Sequence, residues 1–302
     1  MTNTRESITA KLCSFARAYH SNFEKNKIFD DYLAYDIMGK EEYEAIGSLI
    51  YHNFDLSRIG EYHNFKHEKI QKMLQEYIIP IPLSRIRFAE DKLQQFAKTH
   101  GECQYVICGA GVDTFAFRNE NPNIQVFEID HPATQSYKLE RIQELEWIIP
   151  HNVHYVPVDF EKDDMKIALV DSGFDINKKT FISILGVTYY LTLPVFEETI
   201  KNISELSMKD NIILFDYPDE TTFTTNQEDP RAKNLAAVTA SLGETMRHGY
   251  TFESLNQALH HHGFIIDEHM TPSKIQATFF ANCTDNLRAF HNVHFISAIY
   301  KK

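Results

Sequence analysis

The sequence predicts an α/β fold: a doubly wound, mostly parallel seven-stranded sheet, its last strand antiparallel, with an added N-terminal helical lobe. Three observations predict it. From Gln104 onward, short apolar runs alternate with helical patterns. The first run leads into a glycine turn, Gly109-Ala-Gly111, and the second ends in an acid, Asp130. The first hundred residues show helical spacing and no strand pattern.

In chain order, Ile8, Leu12, Phe15, Ala16 and Tyr19 recur at helical spacing, as do Ile70, Met73, Leu74 and Tyr77. Ile79-Pro-Ile-Pro82 is expected to break the chain before a helix from about Ser84 to Lys98, with Ser84 as N-cap. Strands are expected at 104–108, 124–129, 153–158, 180–186 and 211–216. Helices fall between them, most clearly Pro194 to Leu206. The stretch 217–250, containing Asp229-Pro230, reads as irregular. A helix near Phe252–His262 stops at Gly263, and Ile265–Met270 and His294–Tyr300 close the sheet. The implied division is a helical lid or substrate lobe over 1–100, packed on a core over 101–302.

A hydrophobic fraction of 43% over 302 residues is ample for a large core. Acids outnumber bases 42 to 30 and no basic stripe is present, which argues against a nucleic-acid partner. No run is apolar enough to span a bilayer, and Met1-Thr-Asn-Thr-Arg-Glu lacks the core of a signal peptide. A cytoplasmic location and no membrane partner are therefore expected. Cys13, Cys103, Cys108 and Cys283 form no C-x-x-C pair, so neither a metal nor a disulfide framework is indicated. His260-His-His262 resembles metal bait, but consecutive residues on a helix point in different directions, so a surface feature is expected. Oligomeric state has no signature in this sequence.

Gly109 and Gly111 allow a sharp turn and a close ligand approach. Asp130 follows 19 residues after Gly111, at a strand end, where a carboxylate can accept hydrogen bonds from both hydroxyls of a ribose. A dinucleotide turn wants G-x-G-x-x-G and free amides for a pyrophosphate. Here the third glycine position is Thr114, preceded by Asp113, whose carboxylate repels a phosphate. S-adenosylmethionine carries ribose and adenine without phosphate, and a cationic reactive end that an acidic rim attracts. It is favoured over NAD. Asp159 and Phe160, ending the third strand, can meet an adenine; Leu185, Gly186, Tyr189 and Tyr190, at the end of the fourth, should floor the site. An NAD-dependent oxidoreductase and a non-catalytic S-adenosylmethionine-binding protein remain as alternatives.

Over about 80–290 the chain resembles the leucine carboxyl methyltransferase-like family of class I S-adenosylmethionine-dependent methyltransferases, in its bacterial small-molecule O-methyltransferase branch. The resemblance is carried by Ser84-Arg-Ile-Arg87 with Glu90-Asp91, Gly109-Ala-Gly-Val-Asp-Thr114, Phe127-Glu-Ile-Asp-His-Pro132, Val156-Pro-Val-Asp-Phe160, Leu185-Gly-Val-Thr-Tyr-Tyr-Leu191, Phe215-Asp-Tyr217 and Ser241-Leu-Gly-Glu244. It implies that Arg85 grips the methionine carboxylate of the cofactor. Gly109, Ala110 and Gly111 would line its methionyl part, beside Leu185 and Gly186. Asp130 would hold the ribose, and Asp159 and Phe160 the adenine. Arg17, Tyr19, Arg87, Tyr189, Tyr190 and Tyr217 are candidates for the acceptor side. Phosphatase-methylating members carry an acid where Leu185 stands, which points to a small-molecule acceptor from secondary metabolism.

Methyl transfer from a sulfonium is an in-line displacement, with the acceptor oxygen roughly 3 Å from the methyl. A carboxylate arrives ionised; a hydroxyl needs a base, with histidine the usual one. No histidine spacing singles out a candidate, so the catalytic position stays unassigned.

Overall fold

The computed structural model describes residues 7–53, 66–159, 162–224, 229–283 and 287–302. Among the described residues, five helices precede the sheet: α1 (Ile8–Phe23), α2 (Ala34–Met38), α3 (Lys40–Asn53), α4 (Lys66–Met73) and α5 (Pro80–His100). A π-helical turn, Leu74–Ile78, joins α4 to α5. The prolines do not break the chain there. Pro80 opens α5, where a helix needs no N–H from its first turn. Ser84 therefore lies inside the helix rather than capping it, and its hydroxyl donates back to the Pro80 carbonyl at 2.5 Å.

The remaining elements are β1 (Cys103–Cys108), α6 (Phe115–Arg118), β2 (Ile124–Asp130), α7 (Pro132–Glu144), β3 (Val153–Pro157), α8 (Met165–Asp171), β4 (Thr180–Ile184), α9 (Leu193–Glu205), β5 (Ile212–Pro218), α10 (Pro230–Ser241), α11 (Phe252–His261), β6 (Phe264–Met270), α12 (Pro272–Ile275) and β7 (Val293–Tyr300). The seven strands lie in the order β3-β2-β1-β4-β5-β7-β6. β1 to β5 pair in parallel; β7 runs antiparallel to both neighbours. All seven expected strands are present. The stretch read as irregular contains α10, because Asp229 caps the helix through the Arg231 amide and Pro230 takes its first position. α6, which follows the glycine turn, is a single turn.

β1 and β4 are buried along their whole length, as expected of parallel strands covered on both faces. On one face α5 lays Phe96 edge-on to Phe181, centroids 5.8 Å apart, and stacks Phe88 on Phe295. On the other, α9 sets Phe196 against Phe215 at 5.1 Å. Leu12, Phe15 and Tyr19 of α1 share one buried cluster with the α5 face, so the N-terminal helices join the sheet's own core. Among the described residues no helix is long and apolar enough to cross a membrane.

Candidate active site

A cavity of about 240 Å3 opens where β1, β2 and β4 end. It is lined by Gly109, Ala110, Gly111 and Asp113 of the turn after β1, by Asp130, by Leu185, Gly186 and Tyr190, by Arg85 of α5, and by Thr9, Ala10, Cys13 and Arg17 of α1. The strand ends supply the turn and the acid; the helices cover them. Ligands of open α/β sheets collect at this edge.

The turn is closed on itself. Gly109 has φ +74°, and a Cβ there would stand 2.8 Å from Val187. The Gly109 and Ala110 amides both donate to the Ile129 carbonyl, and the Asp113 amide donates to Ala110. The Gly111 amide donates to Asp130 Oδ2 at 2.5 Å, and the Phe115 amide to Asp113 Oδ1 at 2.6 Å. These five amides are taken, and the Asp113 carboxylate stands beside them. A diphosphate would have to displace these bonds and approach that negative charge.

Asp130 Oδ1 also accepts from the His131 amide at 2.7 Å. Burial raises its pKa, while the two amide hydrogen bonds pull it back. Each carboxylate oxygen keeps a further lone pair, enough for two vicinal hydroxyls. Beneath the turn, Lys138 is buried between Glu128 and the Asp113 carbonyl. Burial pushes the Glu128 carboxyl up to about 7 against the pull of Lys138.

Arg85 lies against Gly186, where a Cβ would come within 2.5 Å of Nη2. Its Nη1 sits 2.9 Å from Asp216 Oδ2. Asp216 also accepts from the Gly186 amide at 2.7 Å and from the Tyr189 hydroxyl at 2.9 Å. Desolvation is the largest influence on the Arg85 pKa and works to lower it, but Asp216, Cys13 and Tyr189 together raise the value, so the guanidinium stays charged. Its buried Nε has no partner among the described residues. A charged fork with an unmatched N–H at a cavity wall suits a carboxylate ligand.

Arg17 lines the cavity, but its guanidinium faces away from any ligand role. Nη1 pairs with Asp31 at 2.7 Å and Nη2 donates to the Val112 carbonyl at 2.9 Å. Asp31 in turn accepts from Thr114 at 2.6 Å and faces Arg118 Nε at 3.4 Å; Arg118 forks onto Glu90 at 2.6 and 3.1 Å. This buried network clamps the glycine turn from α1 and α5. Glu90 has its pKa raised by burial, with Arg118 opposing.

The other sequence candidates scatter. Tyr190, 37% exposed, lines the cavity and donates to Thr9 Oγ1 at 3.2 Å. Tyr19 is buried, stacked on Phe15 and tilted against the exposed Phe23, and Arg87 pairs at the surface with Asp91. Tyr189 is buried on Asp216. Tyr217 is buried against His269, 3.1 Å away, which meets His294 at 3.2 Å. Burial, then His294, lowers the His269 pKa to about 4. Asp159 stands outside the cavity lining, paired with Lys162 and 3.9 Å from His131. Phe160 lies outside the described residues.

Three residues organise the site without having been assigned a role from sequence: Asp216, Asp31 and Glu244. Glu244 accepts from the Ser7 hydroxyl at 3.1 Å and from the Ile8 and Thr9 amides at 2.5 and 3.2 Å, so it caps α1 at the cavity edge. Among the described residues lining the cavity there is no histidine and no lysine. The Cys13 thiol is pushed up by burial, and so is the Tyr190 hydroxyl.

Comparison with known proteins bears on the family and the fold. The family model for leucine carboxyl methyltransferase matches residues 10–204. A Bacillus subtilis protein named as an S-adenosyl-L-methionine-dependent methyltransferase, YktD, is 38% identical over 307 residues, covering 100% of both chains. A crystal structure titled as a methyltransferase from Thermobifida fusca superposes with TM-score 0.59 at 14% identity, over 100% of this chain and 97% of that one. A DUF574 family protein from Streptomyces avermitilis gives 0.58 at 12% identity, over 99% of each. At such identities the structural likeness speaks for the fold.

Proposed function

The chain belongs to the leucine carboxyl methyltransferase family and is an S-adenosylmethionine-dependent methyltransferase; from that premise we propose that its cavity methylates a carboxylate oxygen of a small molecule. The observation that carries the choice of acceptor is the absence of histidine and lysine from the described cavity lining. A hydroxyl acceptor needs a base active near neutrality. Glu90 is tied to Arg118, and the Cys13 thiol stays protonated. A carboxylate arrives ionised and asks only to be desolvated and aligned.

The residues present fit the cofactor. Arg85, with its unmatched Nε, would take the methionine carboxylate. Gly109, Ala110, Gly111, Leu185 and Gly186 would border the methionyl chain, and Asp130 the ribose hydroxyls. Asp159, near His131, suits the adenine end. S-adenosylmethionine supplies, when bound, a methyl group made electrophilic by its sulfonium. The chain's part is to hold it by these groups, to keep negative charge near that cation through Asp113 and Asp130, and to exclude water beneath α1. The helices before residue 100 serve as the lid, and a cytoplasmic setting suits four cysteines with no C-x-x-C pair among them.

The test is methyl-labelled S-adenosylmethionine offered with a panel of carboxylic acids, phenols and alcohols. Base-labile methyl esters from the acids alone are expected. Stable ethers from hydroxyl acceptors, with no esters, would overturn the choice of acceptor.

A further inference from the structure

The histidines that end α11 take no part in the cavity. A continuous helix would splay them apart, but the helix does not continue. His261 is its last residue, while His262 is the C-cap, at φ −94° and ψ 10°. Gly263, at φ +91°, then turns the chain away. The two imidazoles thus converge, with ring centroids 4.8 Å apart at 77°. α9 packs on α11 and brings Glu197, whose Oε1 stands 3.8 Å from His262 Nε2. One donor atom from each of Glu197, His261 and His262 lies within 4.8 Å of the other two.

We propose that Glu197, His261 and His262 form a binding site for a divalent transition-metal cation of the zinc class, bridging α9 to the end of α11. Two imidazole nitrogens and one carboxylate oxygen suit zinc better than magnesium or calcium, which prefer all-oxygen sites. Zinc–ligand bonds of about 2.0–2.2 Å require the donors to close in by roughly an ångström. The Glu197 side chain is 46% exposed and His261 is exposed, so both can swing; His262, at 13%, is held between the helices. Solvent completes the coordination. Two ammonium groups bear on the site. Lys201 is paired with Glu198 at 2.9 Å, and Lys302 donates to the His261 carbonyl at 3.3 Å. Their charge opposes a cation, so moderate affinity is expected. The ion would act on helix packing in the layer of α9 and α11, remote from the methyl-transfer chemistry.

The test uses the 302-residue chain free of any tag, titrated with zinc chloride by calorimetry. One equivalent bound and a raised melting temperature are expected. His261→Ala, His262→Ala and Glu197→Gln should each weaken zinc roughly tenfold or more while leaving S-adenosylhomocysteine affinity unchanged. No saturable zinc binding would overturn the proposal, as would zinc affinity unmoved by both histidine variants. Binding that left the melting temperature where it was would overturn the bridge between the helices.

Discussion

Asp216 and Arg85 form a buried ion pair, Oδ2 to Nη1 2.9 Å, at the wall of the cavity. Asp216 is fully buried and Arg85 nearly so. Removing one partner of such a pair strands the other's charge. Asp216→Ala is expected to cost about 3–5 kcal/mol in urea unfolding, and cofactor affinity should fall as well, because the freed guanidinium loses its orientation. A loss below about 1 kcal/mol, the range of an exposed pair, would show that Arg85 finds another partner.

Asp130→Ala should weaken S-adenosylhomocysteine binding by about 1–3 kcal/mol, the loss that attends removal of a charged hydrogen-bond acceptor. Calorimetry reads it directly. NADH serves as the control ligand: five amides of the glycine turn are already bonded and the Asp113 carboxylate repels its diphosphate, so no heat of binding is expected. Equal affinity of parent and variant would place the ribose elsewhere.

The His269 value, depressed to about 4, gives a pH signature. Its unfolded-state value is near 6.5, so between pH 6.5 and 4 the unfolded chain binds more protons and stability drops as pH falls. The site is only half buried, which trims the effect to about 1–2 kcal/mol. Glu128 and Glu90, with raised values, act in the opposite sense over the mildly acidic range. The measurement is therefore a difference: His269→Gln should lose less stability than the parent on going from pH 7 to 4.5. Parallel curves would contradict the assignment.

Glu244→Ala frees three donors at the start of α1 and should destabilise that helix by about 0.5–2 kcal/mol. Faster amide hydrogen exchange confined to residues 8–23 is the expected readout, with quicker release of S-adenosylhomocysteine. Release at the parental rate would mean that α1 does not govern the exit.

The central strands are legible because both their faces are buried: Tyr105-Val-Ile-Cys108 and Phe181-Ile-Ser-Ile184 are apolar almost throughout, and a glycine follows within two residues of each. Pro230 looks like irregular chain in the sequence, yet proline breaks a helix only in its interior and here takes the first position of α10. The cavity wall is legible as far as backbone and strand ends reach: Gly109, Gly111, Asp130 and Gly186 border one cavity. Pairings across 14 to 131 residues leave no local pattern, so Asp31 beneath Arg17 and Asp216 beside Arg85 could not be read from spacing. Tyr189 and Tyr217 show the same limit. A tyrosine at a strand end looks the same whether its hydroxyl meets a ligand or, as here, Asp216 or His269.

The chain of charges from Arg17 through Asp31 and Arg118 to Glu90 bears on how such a protein can be re-engineered. Two of its members, Arg17 and Asp31, lie in the segment that covers the cavity, yet both are spent on the shape of the glycine turn. An N-terminal segment borrowed from a relative to redirect acceptor choice would have to bring an equivalent cation and acid along. Otherwise the graft would leave Arg118 half-matched in the interior, and a swap intended for selectivity would first be felt as lost cofactor.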